Sequence, residues 1–372
     1  MNKTLFAFLL LLLPCITRAQ EKVNFDKPFI KENEAKYKIE IHEVKELIHV
    51  MIAITALGKE NDDMVQQQGQ YYKDVSAYFK AYENEKIIKT FDSLVLASPL
   101  NYIFLTGNGI SYDFNGDVLK KSRVFDFPAP SAATVRIKEN PVSKYKQEIE
   151  AFAKKSGFRK FYRMHKKYYA GIIADYNRYA NLGNQWEWLE NNFKTKINSY
   201  VIFCSPLING LNYTGEFNSN NFRLIYMNLP PLDKMPELNA LQNEIFNTRV
   251  MFTEIDHNYV NAPSNTYKDL INGVFKNRAS WVNEKVQGIS AYPNPVKVFN
   301  EYMTYGVFLL YCKQKYDAPT FENTRRETVK LMLDRGFTKM EDFTAALLKA
   351  QSENDGKKID DWYPLFLKQF EH

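Results

Sequence analysis

One hexapeptide narrows the choice of fold more than any other stretch. Ser199 to Cys204 (S-Y-V-I-F-C) is β-branched and aromatic, with no charge, the composition of a buried strand. Phe222 to Met227 (F-R-L-I-Y-M) repeats that character after the turn residues Ser205-Pro206-Leu207-Ile208-Asn209-Gly210. The two are expected to pair as antiparallel neighbours, and Pro230-Pro231 closes the small β region. Elsewhere apolar residues recur mainly at helical spacing. The expected class is therefore α+β, predominantly helical, with a small antiparallel sheet just before a central helix over residues 236–261.

The rest of the chain fills in around that sheet. Residues 23–38 read as polar and extended, and Ile41, Val44, Leu47, Ile48, Met51 and Ile52 then mark a helix. Helical patterns return over 71–82, 86–96, 142–173 and 186–193. Gly107 and Gly109 suggest a loop over 102–112, and Pro128 and Pro130 another. Beyond the central helix come a helical stretch near 267–276, a bend at Pro293 and Pro295, an apolar helix over 299–312, and two closing helices over 322–335 and 340–351. The expected organisation is a leader over 1–19, an N-terminal helical region over 20–195, and a second region over 196–372, the last two forming one continuous compact unit.

The leader reads as a secretory signal. Lys3 precedes nine apolar residues, Leu5 to Leu13, and small residues stand at Thr17 and Ala19. Cleavage after Ala19 is expected, which places the protein in the periplasm or outside the cell. Cys15 raises lipidation as a minor alternative, with Pro14 standing where a small residue is wanted. No other run of eighteen apolar residues exists, so no transmembrane anchor is expected in the mature chain. Net charge is +6, falling to +4 once Lys3 and Arg18 leave. So mild a charge, with scattered lysines, argues against a nucleic-acid partner. His165 lies in a basic, aromatic segment, Arg159 to Tyr169, which reads as one solvated face and one aromatic core face. Cys204 and Cys312 fit one disulfide or two buried thiols equally well.

The chemistry concentrates in Thr248 to Pro263, a helix that proline is expected to end. Its core, Thr253-Glu254-Ile255-Asp256-His257, is one residue from the H-E-x-x-H of a zinc peptidase helix. At about 100° per residue, Leu238, Leu241, Ile245, Thr248, Phe252, Ile255 and Tyr259 form one core stripe. Thr253, Glu254, His257 and Asn261 fall opposite. His257 can act as a metal ligand and Glu254 as the base that takes a proton from a metal-bound water. Threonine is a poor zinc ligand. Glu301, the only charge in Phe299 to Cys312, is the candidate third corner, because a lone buried carboxylate needs a partner. The plain alternative makes Asn300 an N-cap and Glu301 a first-turn carboxylate. His42, His49 and His165 read as surface or interhelical residues.

Taken together, Glu46-Leu47-Ile48, Tyr72, Tyr78-Phe79-Lys80, Phe158 to Tyr162, Tyr168-Tyr169, Ile202 to Leu207, Gly210 to Tyr213, Tyr259-Val260-Asn261, Glu301-Tyr302 and Arg335-Gly336-Phe337 carry a resemblance. Their order resembles that of exported bacterial proteins with a domain of unknown function, regarded as gluzincin-like metallopeptidases. The resemblance implies a zincin-like fold, zinc as cofactor, a peptide or protein substrate, Glu254 as general base, and His257 and Glu301 as metal ligands. The chain departs from the family helix, H-E-x-x-H-x-[FY]-[VI]-N-P, at Thr253 and at Ala262, and Tyr305 stands where the family often has a basic residue. Two functions follow as expectations. One is an exported metallopeptidase with a divergent site formed by Glu254, His257 and Glu301, or joined by Asp256. The other is a catalytically inactive relative that binds or scaffolds in the envelope.

Overall fold

Asn220 and Asn221 both adopt left-handed backbone conformations, with φ of 53° and 58°, as two-residue hairpin turns require. They settle the topology of the main sheet. A computed structural model describes residues 22–371, so the leader with Cys15 lies outside the described residues. By its internal contacts the chain divides into two compact units. The first runs to Tyr176 and resumes over Ile197–Leu232; the second comprises Asn177–Lys196 and the chain from Asp233 onward. The chain is mostly helical with small sheets, as expected.

In the first unit, β1 (Lys36–Glu40) precedes α1 (Glu43–Ala53), α2 (Gln70–Phe79) and α3 (Lys86–Ala97). Then come α4 (Phe158–Met164) and α5 (Lys166–Asp175), and after them β2 (Ser199–Cys204), β3 (Tyr213–Ser219) and β4 (Phe222–Leu229). The sheet order is β1-β2-β4-β3. Central β2 is buried at every residue, which its uncharged, apolar-rich sequence permits. The expected antiparallel pairing of β2 with β4 is corrected: the two run parallel, with Ser199 opposite Leu224 and Cys204 opposite Leu229. The antiparallel partner of β4 is β3, reached through the Asn220-Asn221 turn. Polar β3 (Y-T-G-E-F-N-S) carries too little apolar signal to be read as a strand. Strand β1 joins the other edge in parallel, so the sheet is mixed.

Residues 102–112 are not a loop. A helix spans Leu100–Gly107 and a 3₁₀ turn follows. Neither glycine there has positive φ. A Cβ on Gly107 would stand 2.8 Å from Ala129 Cβ, and one on Gly109 would stand 3.1 Å from Lys45 Cα. These glycines allow close packing and do not turn the chain.

The second unit contains α6 (Leu182–Asn192), α7 (Ala240–Ile255), α8 (His257–Thr266), α9 (Pro295–Lys315), α10 (Ala318–Asp334), α11 (Met340–Glu353) and α12 (Ile359–Lys368). The expected central helix is two helices meeting at Asp256. Pro263 lies inside α8 and does not end it. The Asp256 N–H still bonds Phe252 O, and Asp256 O accepts from both Tyr259 N and Val260 N, so the break is slight. The core stripe holds only in part. Thr248, Phe252, Ile255 and Tyr259 are buried, but Leu241 is 43% exposed. In the first turns the buried positions are Asn243 and Asn247. Asn243 Nδ2 donates to Met235 O and Leu238 O, and Asn247 Nδ2 to Asp233 O, which satisfies amides that burial would otherwise penalise. A third closing helix, α12, was not expected, and Pro364 lies inside it. Its buried Ile359, Trp362, Tyr363, Phe366 and Leu367 hold it in place. Cys204 and Cys312 are buried free thiols. Among the described residues no helix is long and apolar enough to cross a membrane.

Candidate functional site

Asn294 caps α9 through its side chain, and Pro295 opens it. Asn300 is therefore not an N-cap, and Glu301 lies six residues beyond Pro295, 8% exposed. Neighbouring α7 and α8 pack against α9, and Asn300 Nδ2 donates to Asn261 Oδ1 at 2.8 Å, tying α8 to α9. This packing brings Glu254, Asp256, His257 and Glu301 into one electrostatic neighbourhood.

Glu301 is already paired. Arg335 Nη2 donates to Glu301 Oε1 at 2.6 Å and to the Tyr292 hydroxyl at 2.7 Å. The guanidinium also lies over the Tyr305 ring, 5.1 Å from its centroid, and over Phe337 at 5.6 Å. Gly336 sets this geometry. Its φ of +94° ends α10, and Phe337 N returns to Met332 O in the manner of a Schellman cap. Burial works against the charge on Arg335, but Glu301 and Tyr305 hold its pKa above the ordinary value.

The side chains from α7 and α8 surround that pair. Burial, with the Glu301 charge adding to it, pushes the Glu254 carboxyl up to about 7. Glu254 Oε2 is buried without a hydrogen-bond partner among the described residues. Asp256 is fully buried, and burial first, then Glu301 and Glu254, drives its pKa well above the usual range. Burial also lowers His257, with Glu301 pulling it back and Arg335 lowering it further. The arrangement is one compensated ion pair beside two carboxyls whose burial favours the protonated form and an imidazole whose burial favours the neutral one. Such groups donate and accept hydrogen bonds without requiring a charged ligand.

Thr253 takes no part. Its hydroxyl donates to Val250 O in its own helix at 3.2 Å. Among the described residues no three His, Cys, Asp or Glu side chains are placed to hold one ion. With Thr253 turned back and Glu301 bound to Arg335, the residues present do not fit zinc. Tyr292 and the clamping role of Arg335 were not read from the sequence. Arg335 follows Glu301 by 34 positions, and no fixed spacing links them; the Arg-Gly-Phe at the end of α10 is the only local signal. The other described histidines serve structure. His42 accepts from Lys45 N at the start of α1, and His165 Nε2 meets Asp74 Oδ2 at 3.1 Å. His49 is an interhelical residue beside Tyr102.

A family model described as a domain of unknown function (DUF4932) matches residues 37–369. No curated protein and no solved structure matches the chain.

Proposed function

We propose that this chain, which belongs to the DUF4932 family, is an exported, zincin-like protein whose central-helix site binds peptide segments without hydrolysing them. The observation that carries the reading is the bond from Arg335 Nη2 to Glu301 Oε1 at 2.6 Å. An internal guanidinium neutralises the carboxylate that a metal would otherwise neutralise. Glu254 and His257 then offer hydrogen-bonding groups suited to peptide N–H and C=O. The test uses fluorescent peptides of mixed sequence. Binding weakened by His257→Ala, with no cleavage products from the parent protein, is the expected result. Cleavage that disappears in Glu254→Gln overturns it.

A second reading rests on Glu254 itself. A carboxyl pushed up to about 7 suits general base work at neutral pH. In that reading the protein is a hydrolase in which Glu254 takes a proton from an attacking water.

A further inference from the structure

We propose that the face of α4 and α5 bearing Lys160, Arg163, Met164, Lys166 and Lys167 docks on an anionic lipid bilayer. Between Glu150 and Asp175 the chain carries seven Lys and Arg residues and no acidic one. Two of the seven are spent within the fold: Lys155 pairs with Glu85 at 2.6 Å and Arg159 with Glu43 at 2.9 Å. Lys160, Arg163, Lys166 and Lys167 are exposed, and no ion pair engages them among the described residues.

Four of these five residues share one stripe, and Lys166 lies at its edge, about 60° round the helix from Arg163. The His165 N–H bonds Phe161 O, and His165 O accepts from Tyr169 N, so helical periodicity runs from α4 into α5. Lys160, Arg163, Met164 and Lys167 follow the i, i+3, i+4, i+7 pattern of one stripe. The opposite stripe, Phe158, Phe161, Tyr169 and Ile172, is buried. Among the cations Met164 is 62% exposed and Tyr168 is 46% exposed.

Cations alone would describe an ordinary solvated face. A methionine held outward among four unpaired cations complements a surface with a negative layer above an apolar one. That is the interface of an anionic bilayer, where lysine and arginine heads meet lipid phosphates while apolar groups enter below them. A nucleic acid fits less well. Residues 157–171 contain no Asn, Gln, Ser or Thr to bond base edges.

The test is co-sedimentation of the full chain with two kinds of vesicle, phosphatidylcholine alone and phosphatidylcholine mixed with phosphatidylglycerol. The apolar leader contributes to both, so the difference between them is the readout. The expected result is stronger partition onto the phosphatidylglycerol vesicles, abolished by high salt. Each charge removed by Lys160→Gln or Lys167→Gln weakens that partition about fivefold. Met164→Ser weakens it as well, with unchanged circular dichroism in every variant. Equal partition onto both vesicles, Lys variants that partition like the parent, or a duplex DNA that outcompetes the vesicles would each overturn the proposal.

Discussion

The Glu301 carboxylate and the Arg335 guanidinium meet at 2.6 Å across 34 residues of sequence. The pair joins the apolar helix α9 to the end of α10, with Glu301 only 8% exposed. Removing one member leaves a buried charge uncompensated. Arg335→Met is expected to cost about 3–5 kcal/mol of stability. The double variant Glu301→Gln/Arg335→Met should recover much of that loss, because neither charge then needs a partner. Urea unfolding of the two variants and the parent checks both statements.

The neighbourhood of this pair was legible in the sequence only in part. Glu254, His257 and Glu301 stood out because a helix repeats its faces and because one charge stood in an apolar helix. Both signals are local. Arg335 escaped because a side chain's partner across a tertiary contact leaves no spacing to count. The same limit explains the sheet. Ser199–Cys204 announced a buried strand, but polar Tyr213–Ser219 did not, and without it the direction of Phe222–Leu229 came out reversed. Leu241 and Asn243 make the point for helices. Hydrophobicity favoured burial of the first, while specific backbone acceptors buried the second.

Thr253 offers a gain-of-function test. Thr253→His places imidazoles at i and i+4 on the junction of α7 and α8, the spacing with which two ligands grip one ion. The variant should bind zinc more tightly than the parent by tenfold or more (roughly 1.4 kcal/mol), as read by competition with a chromogenic chelator. Equal affinity in parent and variant would mean that position 253 does not face the site.

Buried Glu46 in the first unit predicts a pH dependence. It is 1% exposed, and the Tyr71 hydroxyl donates to it at 2.7 Å while meeting Tyr169 at 2.6 Å. Burial raises its pKa from 4.5 to about 7, against the opposing bond from Tyr71. The folded protein therefore holds this proton more tightly than the unfolded chain. Its contribution, roughly 3 kcal/mol, is complete below pH 4.5 and lost as pH rises through about 7. Lys45 has the opposite sign. Burial lowers it from 10.5 to about 7, so its contribution returns as pH climbs from about 7 towards 10.5. Stability should pass through a minimum near neutral pH, and Glu46→Gln should flatten the acid side of that curve. Urea midpoints measured across the range would show it.

The central claim is that Arg335 takes the part a metal would play beside Glu301, leaving a site that binds without cutting. Zinc titration of the metal-free protein by calorimetry, repeated with His257→Ala, tests it most directly. The account predicts weak binding, well short of one ion per chain, and the same trace for both proteins. One tightly bound zinc per chain, lost in His257→Ala, would contradict it.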